Sequence, residues 1–222
     1  MAGWLRGVAA ILRQPTFVDA AITVASAAIL GWALVAWLPA FLARSYGVGP
    51  EEAGFWLAGV LGVGTAIGAL VGGAAADLFY ARAPNAGLWL GFWTTLLSAP
   101  VLTLAFIAHS KALSLACVMV SGVTGAVCMG PVYAAVQDMA DRRMRATIAA
   151  VFGVVNIVLG HAGGPLLVGA VSDLTQRRFG TESLRMSLAL VSLLGFWPAI
   201  HLYRMARRGR NSMQPDSKVV LF

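Results

Sequence analysis

Charged side chains are scarce in this chain of 222 residues, where Asp, Glu, Lys and Arg together make up 11% of the sequence. A typical soluble domain has about 25% charged residues. Hydrophobic residues reach 59% and the mean hydropathy is +0.80, which is more apolar sequence than a soluble core of this size could bury. The scarcity of charge therefore excludes an ordinary soluble domain and predicts an all-α polytopic membrane protein.

Acidic residues are the scarcer of the two signs, with 9 Asp and Glu against 16 Lys and Arg, for a net charge of +7. Proteins that bind nucleic acid carry such an excess on one face. Here the basic residues are scattered between apolar runs and gather at the C-terminus, a distribution that suits anionic lipid headgroups. We therefore predict the lipid bilayer as a partner and no nucleic acid.

Cysteine is also rare, and both copies, Cys117 and Cys128, fall in one apolar run. Eleven helical residues separate them by about 16 Å, which is too far for a disulfide. We predict that both are small buried hydrophobic residues. No metal ligands, catalytic residues or cofactor are predicted.

Six apolar runs are each long enough for a span of about 20 residues. The first is much longer than the core of a signal peptide, so we expect it to be retained. We predict that residues 1–16 form an amphipathic interfacial or central-loop segment. We predict that residues 206–222 form a disordered basic tail. The predicted spans are 17–43, 53–76, 87–108, 112–137, 146–171 and 184–205.

Basic residues are distributed unequally between the two sets of connections. Eleven of the 16 fall in the terminal segments and the even-numbered loops, and five in the odd-numbered loops. By the positive-inside rule both termini are cytoplasmic, in a multi-pass protein of the inner cell membrane.

A pattern of glycine followed by Asp and Arg occurs twice, 96 residues apart (Gly64 to Gly160). In the predicted topology the two copies cross the bilayer in opposite directions, which indicates an inverted repeat of three plus three helices, the construction of secondary transporters. The matching residues are Gly64/Gly160, Ala66/Ala162, Gly68/Gly164, Leu70/Leu166, Gly73/Gly169, Ala74/Ala170, Asp77/Asp173, Leu78/Leu174 and Arg82/Arg178.

The repeated glycines are candidates for close helix packing, because small residues four apart let two helices approach. They serve either ordinary packing or a sliding surface between conformations. The candidates are Gly64, Gly68, Gly160, Gly164 and Gly169.

Asp77 and Arg82, with Gly73 before them, predict either a conformational latch or a plain helix stop. The run G-A-A-A-D-L-F-Y-A-R (73–82) resembles the loop signature of the major facilitator superfamily. Three further segments resemble the C-terminal half of that family, and most of all its spinster-like branch. They are W-L-P-A-F-L-A-R-S-Y-G (37–47), V-Q-D-M-A-D-R-R-M-R-A-T (136–147) and G-G-P-L-L-V-G-A-V-S-D (163–173).

The resemblance implies one six-helix half of a transporter, and a cytoplasmic latch in which Asp138 and Arg145 join Asp77 and Arg82. The loop departs from the family pattern at Leu78, where a basic residue is usual, and at Tyr80, where the family has glycine. The acid-before-base pairs Asp138/Arg142 and Asp141/Arg145 are otherwise typical of a solvated helix end.

Polar residues inside the apolar runs are candidates for a path for solute or protons. Asp19 also fits an interfacial Asp near a helix start, and His161 a histidine bonded to a neighbouring helix. Asn156 and His161 are expected on different faces of the fifth helix, and the seven tryptophans are expected to be interface anchors, Trp37 also lying on the path face. The path candidates are Asp19, Thr23, Ser26, Trp37, Asn156 and His161.

Three functions are compatible with these patterns. The first is secondary transport of a small organic or amphipathic solute, coupled to protons or sodium, by a half that is truncated, pairs with a separate half, or forms a homodimer. We rank a missing N-terminal six-helix half first. The second is an intramembrane serine protease using Ser121 and His201, and the third is a non-transporting membrane scaffold.

Overall fold

A computed structural model describes residues 11–80, 85–138 and 144–212, and these residues are almost entirely helical. Five stretches are long and apolar enough to cross a membrane. The helices are α1 (Pro15–Tyr46), α2 (Pro50–Ala58), α3 (Thr65–Tyr80), α4 (Ala86–Ile107), α5 (Lys111–Val127), α6 (Met129–Asp138), α7 (Arg145–Val155), α8 (Gly163–Phe179), α9 (Ser183–Ser192) and α10 (Phe196–Ser212).

Helix α1 shows how the sequence sets helix boundaries. Pro15 stands at its first turn, where the missing N–H costs nothing. Gly47 ends the helix in the left-handed conformation (φ 66°), and its N–H donates to Ala43 O while Val48 N–H donates to Leu42 O. These two bonds satisfy carbonyls that the helix end would leave open.

Two segments of π-helix interrupt the long helices. π1 (Gly59–Gly64) joins α2 to α3, and π2 (Asn156–Ala162) joins α7 to α8. The offset of the sequence repeat carries Gly64 onto Gly160, so the two π segments fall at nearly the same place in the two copies. Such bulges are rare and occur often at functional sites.

The fifth apolar stretch, Arg145–Arg208, is 64 residues long and is broken at Gly180, whose backbone is not helical (φ 53°, ψ −123°). The chain folds back there, since Thr175 Oγ1 lies 3.4 Å from Ser187 Oγ across the bend. The predicted spans 146–171 and 184–205 lie on the two sides of this bend.

Helix α10 continues to Ser212, beyond the end at residue 205 expected from the sequence. Tertiary contacts explain the extra helical length, because Ala206 is fully buried and Arg208 pairs with Asp19 of α1. The rest of the predicted tail (213–222), and residues 1–10 of the predicted amphipathic segment, lie outside the described residues.

The bundle has two ends, which we name by the contacts of α1. At the terminal end, Asp19 near the start of α1 meets His201 and Arg208 of α10. At the far end, Tyr46 at the end of α1 meets Arg185 of α9. Helices α1 and α9–α10 therefore run antiparallel over their whole length.

Each end has its own apolar cluster. The terminal-end cluster includes Phe17 and Phe152, whose rings meet edge to face at 5.3 Å. The far-end cluster includes Phe41 and Phe106, with ring centroids 5.1 Å apart. Cys117 and Cys128 are buried and unbridged, as predicted.

Candidate functional site

Close helix contacts occur at matching positions of the two repeats. A Cβ at Gly68 of α3 would overlap the backbone carbonyl of Val123 in α5. A Cβ at Gly164 of α8 would likewise overlap the carbonyl of Ile29 in α1. The second long helix of each repeat thus packs backbone to backbone on the first helix of the other repeat.

The remaining candidate glycines face side chains or open space instead of a neighbouring backbone carbonyl at such short distance. A Cβ at Gly64 would lie 2.9 Å from the flexible Met119 Sδ, and one at Gly160 2.5 Å from Trp32 Cδ1. At Gly169 the nearest atom would be 3.5 Å away, an ordinary contact, and at Gly73 there is open space. Gly72, which sequence reasoning did not select, packs on the backbone of Val127.

Trp32, Asn156 and His161 form a cluster at the middle of α1. Trp32 Nε1 lies 3.4 Å from Asn156 Oδ1, and the Trp32 and His161 rings meet at a tilt of 30° with centroids 3.3 Å apart. Gly160 leaves the space that the indole occupies. Trp32 is therefore part of the helix contact and not an interface anchor.

The expectation that Asn156 and His161 face different ways is wrong. In an α-helix, residues five apart are about 140° apart around the axis. In π2 the i→i+5 bonding pattern brings such residues onto one face. Nothing in the local sequence predicts this widened turn.

A cavity of about 600 Å³ lies at mid-height between the two apolar clusters. It is lined by α1, α3, α4 and α5, with Asn156 from π2 and Ser192 from α9. None of the described residues that line it is charged. Its polar groups include Thr95, Ser98 and Ser121, of which the last two pair through their hydroxyls at 2.9 Å.

The polar candidates of α1 have separate roles. Thr23 and Ser26 donate to backbone carbonyls one turn earlier in their own helix, a common use of hydroxyls inside helices. Trp37 Nε1 donates to Pro165 O at 3.0 Å and so links α1 to α8. Asp19 is buried at the terminal end, 4% exposed, and is not an interfacial side chain.

The residues of the proposed latch are only partly described. Asp77 is exposed near the end of α3, and Gly73 precedes it by one turn. Asp138 ends α6 and Arg145 begins α7, both exposed. Arg82, Asp141 and Arg142 lie outside the described residues, so the latch stays a prediction.

The far end contains a structural cluster around Arg185. Its Nε donates to Phe106 O at 2.8 Å and its Nη2 to Ala108 O at 2.5 Å. These bonds cap the C-terminus of α4, where unpaired carbonyls and the helix dipole favour a cation.

The sequence relationship is with a transporter of twice the length. No protein-family model matches the chain. A protein named "MFS-type efflux pump" from Mycolicibacterium smegmatis (strain ATCC 700084 / mc(2)155) is 32% identical over 204 residues, covering 87% of this chain and 47% of the pump. The chain is related to the major facilitator superfamily.

The fold agrees with one half of such proteins. A bacterial homologue of the human lysosomal transporter Spinster, in an inward-facing and unoccupied conformation, superposes with a TM-score of 0.80 at 21% identity. That match covers 93% of this chain and 51% of the homologue. The inward-facing, occupied form of the homologue gives a TM-score of 0.76 at 20% identity, covering 88% of this chain and 50% of that one.

The chain thus spans about half the length of the relatives it matches. These relatives are named as transporters and not as enzymes, and the protease hypothesis has no support from them. The structure also separates its two residues, since Ser121 pairs with Ser98 while His201 pairs with Asp19. A serine nucleophile needs its hydroxyl within hydrogen-bond reach of the base, so the dyad is not formed.

Proposed function

We propose that this facilitator-like chain is the C-terminal half of a secondary transporter, with six spanning helices in an inverted three-plus-three repeat. The six are α1, α2–α3, α4, α5–α6, α7–α8 and α9–α10. The observation that carries the proposal is the matched pair of backbone contacts at Gly68 and Gly164. The matched π segments support the same symmetry.

The transported solute is small, organic or amphipathic, and its uncharged apolar part enters the cavity. This assignment is supported by the cavity's volume, which falls in the range of sites for small molecules. It is also supported by lining that is apolar apart from hydroxyl and amide groups, because a charged moiety there would lack a partner. Coupling to a proton or sodium gradient drives the cycle.

Transport requires a second six-helix half, which rocks against this one around the site. Exposed apolar side chains on the second helix of each repeat, such as Leu70 and Leu166, support a partner surface there. We place the missing half upstream in the same reading frame. An upstream frame that encodes six further apolar spans would support this, and an unrelated upstream gene would leave a homodimer or a separately encoded half.

The functional test is solute flux through inner-membrane vesicles from cells that express the native gene. Nile red, a neutral apolar dye, should move when a proton or sodium gradient is imposed. Asp77→Asn should reduce this flux about tenfold, within the usual range of a conformational coupling, with the same amount of protein inserted. Asp173→Asn, the repeat counterpart, is the matched control.

Two results would contradict the proposal. Absence of gradient-driven flux of any neutral dye from vesicles that contain the inserted protein would contradict transport. Unchanged flux in Asp77→Asn would contradict the latch alone, leaving transport in place.

A further inference from the structure

A buried carboxylate at the terminal end has two basic partners. Asp19 of α1 is 4% exposed, and its Oδ1 lies 2.6 Å from His201 Nδ1 of α10. Its Oδ2 accepts a hydrogen bond from the guanidinium of Arg208, about two turns after His201 in α10. His201 is as buried as Asp19, whereas the Arg208 side chain is 45% exposed.

We propose that these three groups form a proton-binding site, in which a proton on His201 and the guanidinium of Arg208 replace each other as the cationic partner of Asp19. The proposal concerns proton binding by the chain itself. It does not depend on the proposed transport, and its experiment measures no flux.

Charge balance inside the apolar bundle drives the exchange. With Arg208 in place and His201 neutral, one carboxylate and one guanidinium cancel. Protonation of His201 would then leave a net positive charge, which is costly to bury. If Arg208 moves into solvent, a protonated His201 restores neutrality beside Asp19, while a neutral one would leave the carboxylate uncompensated.

The geometry assigns the fixed and the mobile partner. Thr23, one turn after Asp19, donates to the Asp19 carbonyl, and the His201 ring packs against Trp197 at 5.8 Å. Both groups are therefore held in the bundle. Arg208 is half-exposed and lies four residues before the last helical residue, Ser212, so it can reach solvent without unpacking the core.

The proton has a definite place. In neutral His201 the Nδ1–H donates to Asp19 Oδ1, and the incoming proton binds the Nε2 lone pair without breaking that bond. Histidine is the side chain that ordinarily changes charge between pH 5 and 8. Protonation of His201 should therefore release Arg208 and loosen the end of α10 from α1.

Other ionisable groups lie on the elements around the site, and Arg13 lies just before the start of α1. Helix α4, which packs on α10, has no charged residue between Ala86 and Ile107. Those on α10 and on α6 and α7, which pack on α1, are Tyr203, Arg204, Arg207, Tyr133, Asp138 and Arg145. Those on π2 and toward the far end of the bundle are His161, Arg44, Tyr46, Glu51, Glu52, His109, Lys111, Asp173, Arg177, Arg178, Glu182 and Arg185.

The test follows the mobility of the end of α10 as a function of pH. A nitroxide label is attached at Arg207→Cys, an exposed position next to Arg208, in a purified chain with Cys117→Ala and Cys128→Ala. Its electron paramagnetic resonance spectrum should be that of an immobilised label at pH 8 and of a mobile label at pH 5. Arg208→Gln should make the label mobile at both pH values.

His201→Gln decides the proposal, because glutamine can still donate to Asp19 but cannot take up the proton. In this variant the label should stay immobile from pH 8 to pH 5. His109→Gln, an exposed histidine at the far end, is the matched control and should retain the pH response. A pH response that persists in His201→Gln, or that is absent from the parent chain, would overturn the proposal, whether or not Arg208→Gln folds.

Discussion

At Gly68 and Gly164 there is no room for a single added carbon atom, because a Cβ at either position would overlap a backbone carbonyl of the neighbouring helix. Gly73 and Gly169, a matched pair of the repeat further along the same two helices, have space for one. Glycine itself occurs 25 times in the chain, so composition cannot separate the two kinds. Which glycine touches a backbone is decided by the rotation of each helix against its neighbour.

Alanine at either tight position should therefore destabilise the bundle. We expect Gly68→Ala and Gly164→Ala each to cost about 1–3 kcal/mol, the usual cost of overpacking, and to lower the melting temperature of the purified protein by several degrees. Gly73→Ala and Gly169→Ala are the matched controls and should melt with the parent. Equal melting of all four variants would show that the backbone contacts are looser than described.

Residues that meet across the bundle were the hardest to predict. Asp19 and Trp32 were each noted in the sequence, but their partners His201 and Asn156 lie more than 120 residues away. No local spacing relates such pairs. Asn156, a path candidate, and the polar residues Thr95 and Ser98 in the middle of the third span were the available signals for the cavity.

At the scale of elements, helix ends depend on contacts from other helices. Helix α4 ends at Ile107. The guanidinium of Arg185, which belongs to α9, donates hydrogen bonds to the carbonyls of Phe106 and Ala108 at that end. The Arg185 side chain is 17% exposed, so these hydrogen bonds are largely shielded from water. In the sequence, Arg185 is only a basic residue at the start of an apolar run, and no local spacing relates it to the end of α4.

Loss of this cap should weaken the far end of the bundle. We expect Arg185→Gln to lower stability by about 1.5–3 kcal/mol, the usual range for hydrogen bonds to a charged group, measured as a lower melting temperature. Arg185→Lys should retain only part of the stability that Arg185→Gln loses, since lysine lacks the planar fork of donors. Arg177→Gln, at an exposed position of α8, should melt like the parent, and equal stability of Arg185→Gln would exclude the cap.

The π segments belong to the same scale. Hydrophobic periodicity identified the apolar runs, but a π turn adds one residue without changing their composition. The α-helical spacing therefore placed Asn156 and His161 on different faces, whereas both meet Trp32. The repeat offset was the sequence feature that could have related π1 to π2.

At the scale of the whole molecule, orientation in the membrane follows from charge. The terminal end carries Arg204, Arg207 and Arg208 beside the start of α1. The odd-numbered loops have fewer basic residues, and we expect this asymmetry to keep the terminal end in the cytoplasm.

Reporter fusions test this orientation directly. Green fluorescent protein fused after Phe222 should fluoresce, because it folds in the cytoplasm. Alkaline phosphatase inserted at Gly49 or Gly180 should be active, because it requires the periplasm. Active phosphatase at the C-terminus, with inactive enzyme at both loops, would reverse the topology and place the proton site on the outer face.

Composition and pattern by themselves determined that this is an all-helical, multi-pass membrane protein, since apolar length and repeats are local or additive properties of a chain. The resemblance of its loop segments added the likeness to the major facilitator superfamily. Tertiary structure alone decided which glycines are tight, that Asn156 and His161 share a face, that α10 runs on to Ser212, and that Asp19 is buried against His201 and Arg208. These features depend on how helices far apart in sequence are rotated and placed against one another. That placement is set by packing the bundle as a whole, and no single segment encodes it.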